Sequence, residues 1–191
     1  MKKFITLFSI ALVGFTLTAN AQIQRGNLLV GGDIADFNLN LNGGGYFSMR
    51  IDPKLAFFIQ DNVALGAYVN LGLQTAKGAG ANVNYGVGAL GRYYINPAKV
   101  SVLRHGRFFL EGTVGIEGDN PANGNSTNGL GLGVGPGFAY FITPNVGLET
   151  LLKYTGIVGF GSSTTASNLD LNVGFQIYLP TRRLREVANN P

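Results

Sequence analysis

The chain has no cysteine, no tryptophan and one histidine, and only 13% of its 191 residues are charged. Without cysteine there is no disulfide framework, no thiolate metal site and no lipid-modified cysteine. An ordinary soluble domain carries roughly 25% charged residues, so this surface is short of the groups that would clothe it in water. Strong charge of one sign is also missing. The formal +4 comes from Lys2, Lys3, Arg182, Arg183 and Arg185, less Glu186, at the two ends. Residues 22–179 hold nine basic and nine acidic side chains, so no basic face for nucleic acid is present. Disorder is excluded by 13 Phe and 8 Tyr, and collagen by the lack of a three-residue glycine period.

A long apolar helix is missing too. The longest charge-free stretch, Asn120–Leu148, alternates Gly129, Gly131, Gly133, Gly135 and Gly137 with Leu130, Leu132, Val134, Pro136 and Phe138. A helix there would lose about 1 kcal/mol per glycine and about 3 kcal/mol at the proline. Alternation with period two is the signature of a strand.

What is present begins with an address. Lys2-Lys3 precede an apolar run from Phe4 to Leu17, and Ala19-Asn20-Ala21 forms an A-x-A cleavage site before Gln22. Residues 1–21 are therefore expected to be a signal peptide, since the run is shorter than the ~20 residues of a membrane span. Residues 22–179 then form the folded unit, and 180–191 a short basic tail.

Period-two alternation recurs along the whole unit, at 28–34, 46–58, 63–73, 83–95, 108–117, 128–142, 147–157 and 169–179. Val63, Leu65, Ala67, Val69, Leu71 and Leu73 make one face of the third segment, and Leu169, Leu171, Val173, Phe175, Ile177 and Leu179 one face of the last. Most segments approach the length of about 10 residues that a tilted membrane strand needs. The charges are too few to cover eight outward faces, so the apolar faces must meet lipid. An open sheet in lipid leaves edge groups unpaired, which forces closure. The expected fold is all-β: an eight-stranded antiparallel up-and-down transmembrane β-barrel with both termini on the periplasmic side.

Alternate strand ends repeat. Phe58-Ile59, Tyr94-Ile95, Phe141-Ile142 and Tyr178-Leu179 each close a segment, and Ala56–Leu65 matches Ala139–Leu148 at six of ten positions. Phe57, Phe58, Tyr93, Tyr94, Tyr140, Phe141 and Tyr178 are expected to form an aromatic girdle at the periplasmic interface. The segment Pro53-Lys-Leu-Ala-Phe-Phe-Ile-Gln-Asp-Asn-Val-Ala-Leu-Gly66 resembles the strand, turn and strand signature of small outer-membrane β-barrel domain proteins of Bacteroidota-type Gram-negatives. The family often has Gly-Tyr where this chain has Ala56-Phe57. The resemblance covers residues 26–179 and implies an eight-stranded outer-membrane barrel, often without an assigned task.

Chemical motifs are sparse. Gly86-Val-Gly88-Ala-Leu-Gly91 fits G-x-G-x-x-G, but Arg92-Tyr93-Tyr94 continues the strand where a nucleotide fold needs a helix. Asn125-Ser126-Thr127 is a formal glycosylation sequon. Barrel enzymes of the lipid A deacylase or palmitoyltransferase kind resemble the chain in size, yet a histidine base would have to sit near a serine at the outer end. His105 instead falls in the 96–106 connection on the periplasmic side, so no enzyme, catalytic residue, cofactor or metal site is expected. Arg50, Arg92, Glu111, Glu149, Lys153 and Asp170 share the inward phase. They are expected to pair, Arg92 with Glu111 and Lys153 with Asp170, and to fill the narrow lumen. The glycine strand 131–139 would leave room for Arg and Tyr from opposite strands. The outer loops 35–44, 75–82, 118–127 and 158–167 are short and poor in charge. The expected role is structural, in membrane integrity, for a monomer whose partner is outer-membrane lipid. The alternatives are a narrow pore or carrier for small solutes and an accessory barrel of a secretion or surface-assembly machine.

Overall fold

The computed structural model describes residues 23–40, 46–78, 80–95, 106–123, 126–160 and 165–181. The expected signal peptide, His105, Asn125 of the sequon and the tail from Arg182 lie outside the described residues. Eight strands follow one another: β1 (Leu28–Asn40), β2 (Tyr46–Gln60), β3 (Val63–Ala76), β4 (Gly80–Tyr94), β5 (Gly106–Asn120), β6 (Thr127–Thr143), β7 (Val146–Gly159) and β8 (Thr165–Leu179). Each is antiparallel to the next, and β8 returns to β1 to close the barrel.

The strands outrun the apolar alternation at the end away from the termini. Thr75 still pairs with Ala81, and Asp119 with Thr127, in segments whose composition reads as loop. Beyond the apolar band the outward face no longer has to be hydrophobic, so the ladder continues after the hydropathy signal stops. The expected loops are correspondingly shorter.

Faces sort by the two-residue period. On β3, Leu65, Leu71 and Leu73 are exposed while Ala64 and Tyr68 are buried; on β8, Leu171, Val173 and Phe175 are exposed while Asn172, Gln176 and Tyr178 are buried. In a closed barrel the buried face is the lumen.

The internal repeat has structural consequences. β2–β3 and β6–β7 both reverse through tight turns at Asp61-Asn62 and Pro144-Asn145, each after a register shift, between Phe58 and Gln60 and between Phe141 and Thr143. Asn62 takes a positive φ of 66°, which asparagine tolerates better than most residues. Pro53 and Pro136 occupy equivalent places, three residues before Ala56 and Ala139, and both are exposed on the outer face. Neither has an N–H to give, and the β2–β3 and β6–β7 pairings both skip at that level.

At the terminal end, residues 23–27 run beside the end of β2 and its turn into β3. The Gly26 amide donates to the Phe58 carbonyl at 2.7 Å, the Asn62 amide to the Ile23 carbonyl at 3.0 Å and the Arg25 amide to Asp61 Oδ1 at 2.8 Å. These bonds seat Ile23 in the buried cluster that includes Phe58, Tyr94, Phe141 and Tyr178.

Candidate functional site

The lumen is built from inward residues at alternate positions. In its terminal half, Lys54 of β2 contacts Asp33 of β1 at 2.5 Å and Glu111 of β5 at 3.2 Å. Arg92 of β4 holds Glu111 at 2.5 Å and Glu149 of β7 at 2.6 Å. The result is one chain of charges, Asp33–Lys54–Glu111–Arg92–Glu149, contributed by five strands. Its ends are held by neutral donors: Gln176 Nε2 donates to Asp33 at 2.9 Å and the Tyr178 hydroxyl to Glu149 at 2.5 Å. Each of the two cations in this chain has two carboxylates, the arrangement that offsets the several kcal/mol of desolvation per ion.

Below this layer lie aromatic rings. The Arg92 guanidinium sits 4.1 Å from the Phe109 ring centroid and donates to the Tyr94 hydroxyl at 3.0 Å. The Tyr94 and Tyr178 hydroxyls meet at 2.8 Å, each at the end of its repeat unit. Phe58 packs 5.8 Å from Tyr94, and Phe141 5.0 Å from Tyr178.

This corrects the expected girdle. Phe57, Tyr93 and Tyr140 face outward, at 52%, 54% and 49% exposure. Phe58, Tyr94, Phe141 and Tyr178 are buried in the lumen. Consecutive strand residues point to opposite faces, so an aromatic doublet cannot place both rings at the lipid interface. The doublets serve both surfaces of the wall.

All six expected lumen residues turn inward, but their pairing differs in part. Arg92 does meet Glu111. Lys153 and Asp170 are register partners, yet no ion pair joins them. Asp170 is taken by Arg50 at 2.8 Å, and Arg50 also holds Asp36 at 2.9 Å. The inward residues Asp33, Asp52, Lys54, Glu117, Tyr68 and Gln176 were missed by the sequence reading. The period-two phase would have found them, since Asp52 and Lys54 continue directly from Arg50.

The Arg50 contacts cross a gap in the wall. β1 pairs with β8 only from Leu28 to Ile34, and above Ile34 no β1–β8 pairing occurs among the described residues. β1 departs at a register irregularity between Ala35 and Asn38, where Asp36 has φ 53°. Arg50, reaching from β2, bridges Asp36 on β1 and Asp170 on β8, so ion pairs stand where backbone bonds stop. The side-chain amide of Asn172, at the same seam, is buried without a partner among the described residues.

Above the ionic layer is a vestibule of about 550 Å³. Its charged lining is Asp36, Asp52, Glu117 and Asp170 against Arg50 and Lys153, with Asn70, Gln74, Asn84 and Tyr46 beside them. Asn70 donates to Asp52 at 2.9 Å, and the Tyr68 hydroxyl donates to Glu117 at 2.9 Å. Lys153 is 7% exposed and makes no hydrogen bond or ion pair among the described residues; its ammonium lies 5.1 Å from the Tyr68 ring centroid.

The glycine strand makes this arrangement possible, though not for the expected occupants. A Cβ on Gly137 would collide with the Phe109 ring, one on Gly131 with the Glu117 carboxylate, and one on Gly133 would lie 2.6 Å from Lys153 Cε. The side chains laid over β6 thus come from its neighbours β5 and β7. No cluster of three or more metal-ligating side chains occurs among the described residues.

No protein-family model and no curated protein matches the chain. Among solved structures it is similar to Neisserial surface protein A, at 18% identity over 80% of this chain and 96% of that one, with a TM-score of 0.56. It is also similar to the N-terminal β-barrel domain of OprF from Pseudomonas aeruginosa, at 13% identity over 80% of this chain and 98% of that domain, with a TM-score of 0.50. At such identities the likeness carries architecture alone. That architecture, with the closed strand order and the apolar outer face, makes the chain an eight-stranded antiparallel up-and-down transmembrane β-barrel.

Proposed function

We propose that the protein is an integral outer-membrane barrel with a structural, membrane-integrity role, no catalysis and a lumen plugged by its own side chains. One observation carries this reading: the terminal half of the lumen is filled by a continuous layer of paired charges and packed rings. Arg92, Glu111, Glu149, Tyr94 and Tyr178 are all essentially inaccessible within it. A conducting path would have to open contacts of 2.6–3.2 Å between strands three or four apart in the wall. An eight-stranded barrel encloses just enough width for side chains to fill.

The outer face supports the membrane setting. Ile34, Leu71, Val87, Val114, Leu132, Leu152 and Val173 are all exposed, and a soluble protein would not present apolar side chains all around its wall. In this reading the termini and the turns at 61–62 and 144–145 lie in the periplasm, and the vestibule faces outward.

Single-channel recording on the refolded full barrel in planar bilayers tests the plug. The expected result is an electrically silent bilayer containing folded protein. A stable conductance would overturn the plugged reading and favour the narrow pore.

A further inference from the structure

Lys54 and Arg92 each hold two carboxylates and Arg50 three, but no ion pair to Lys153 occurs among the described residues. Its nearest polar wall explains why. The Tyr68 ring presents its face to the Lys153 ammonium and its hydroxyl to Glu117, so one side chain keeps these two opposite charges apart. Glu117 therefore keeps only a neutral donor, and Lys153 only a ring. Both line the same vestibule, whose volume of about 550 Å³ lies within the range of roughly 300–1,000 Å³ typical of small-molecule sites. Bare Gly131 and Gly133 on β6 give both side chains the space they occupy.

We propose that the vestibule is a binding site for a short peptide-like zwitterion, with its carboxylate on Lys153 and its ammonium on Glu117. The sign of the lining selects this class. Four carboxylates face two cations, and Arg50 holds Asp36 and Asp170 closely and Asp52 at 3.9 Å, which leaves the lining net negative. A simple anion would meet Lys153 but also the surplus negative charge of Asp52 and Glu117. A simple cation would leave the Lys153 ammonium buried and unmatched, which is costly. A zwitterion satisfies both ends at once. The amides of Asn70, Gln74 and Asn84 supply donors and acceptors of the kind that peptide groups use. The site depends on the vestibule alone, so a conductance measured through the floor would leave it standing.

The test uses the full barrel in nanodiscs and glycyl-serine in four forms: zwitterion, C-terminal amide, N-acetyl derivative and the doubly blocked molecule. NMR titration read at the amides of Lys153 and Glu117 should show saturable shifts with the zwitterion. The amide and the N-acetyl form should each bind at least tenfold more weakly. Lys153→Met should erase the difference between zwitterion and amide, and Glu117→Gln the difference between zwitterion and N-acetyl form. If a variant fails to fold, the four forms on the unaltered protein decide. No saturable shift from any form would overturn the proposal. So would an amide or an N-acetyl form that binds as well as the zwitterion.

Discussion

Removing Arg92 should cost far more than removing Glu111, although the two are partners on adjacent strands. The chain Asp33–Lys54–Glu111–Arg92–Glu149 has three carboxylates and two cations. Glu111→Gln deletes the surplus negative charge, and each cation keeps one carboxylate, Lys54 with Asp33 at 2.5 Å and Arg92 with Glu149 at 2.6 Å. A glutamine oxygen in the Oε2 place still accepts from Arg92, but its amide NH2 replaces the oxygen that accepts from Lys54, a loss of about 1–3 kcal/mol. Arg92→Met instead strands Glu149 with only the Tyr178 hydroxyl, at about 3–5 kcal/mol for an uncompensated buried charge. It also removes the guanidinium from the Phe109 ring, worth about 0.5–2 kcal/mol. The two doubles separate the network from a simple pair. Arg92→Met with Glu149→Leu leaves Asp33 and Glu111 sharing Lys54 and should recover much of the loss. Arg92→Met with Glu111→Leu leaves Glu149 stranded and should recover little. Urea unfolding in lipid vesicles, followed by far-ultraviolet circular dichroism because the chain has no tryptophan, gives the four free energies, and the singles Glu111→Leu and Glu149→Leu close the two cycles. Equal costs for the two single variants, or better recovery with Glu111→Leu, would refute the network.

Arginine at Leu71, Val114 or Val173, all outward and near the middle of their strands, should lower stability in lipid by about 2–4 kcal/mol, and tolerance at all three in vesicle unfolding would mean the lipid band is misplaced. Gly137→Ala should push the Phe109 ring off Arg92 and cost about 1–3 kcal/mol, measured by the same unfolding; a neutral effect would show that the ring is free to move. Asn172→Leu removes a buried amide without partners at nearly constant volume and should be neutral or stabilising, so a large loss in the unfolding midpoint would reveal a missing partner. In cells, a cysteine at Ala122 should react with an impermeant maleimide and one at Asn145 should not, and the reverse pattern would invert the proposed orientation.

The strand faces were legible because lipid imposes a one-sided rule. Leu65, Leu71 and Val173 must be apolar, and nothing on their side of the wall competes with that demand. Chain ends of the strands were less so, since Thr75↔Ala81 and Asp119↔Thr127 lie where either polarity is tolerated outside. The aromatic doublets show a different limit. Phe57-Phe58 and Tyr93-Tyr94 look alike in composition, and only the parity of the position sends one ring to lipid and its neighbour to the lumen.

Inside the barrel, parity says which charges face inward but not which of them meet. Partner choice depends on reach as well as register. Lys153 and Asp170 sit directly opposite each other on β7 and β8, the best pairing that strand counting can offer. Arg50 nevertheless wins Asp170 from β2, because β1 parts from β8 beyond Ile34 and the long arginine side chain reaches Asp36 and Asp170 with a donor on either side. The irregularity at Asp36 carries no hydropathy signal, so the loss of the Lys153 partner could not be seen from the pattern. Three consequences follow from that one departure of β1: a seam held by ion pairs, an Asn172 amide without a partner, and an ammonium left facing the vestibule.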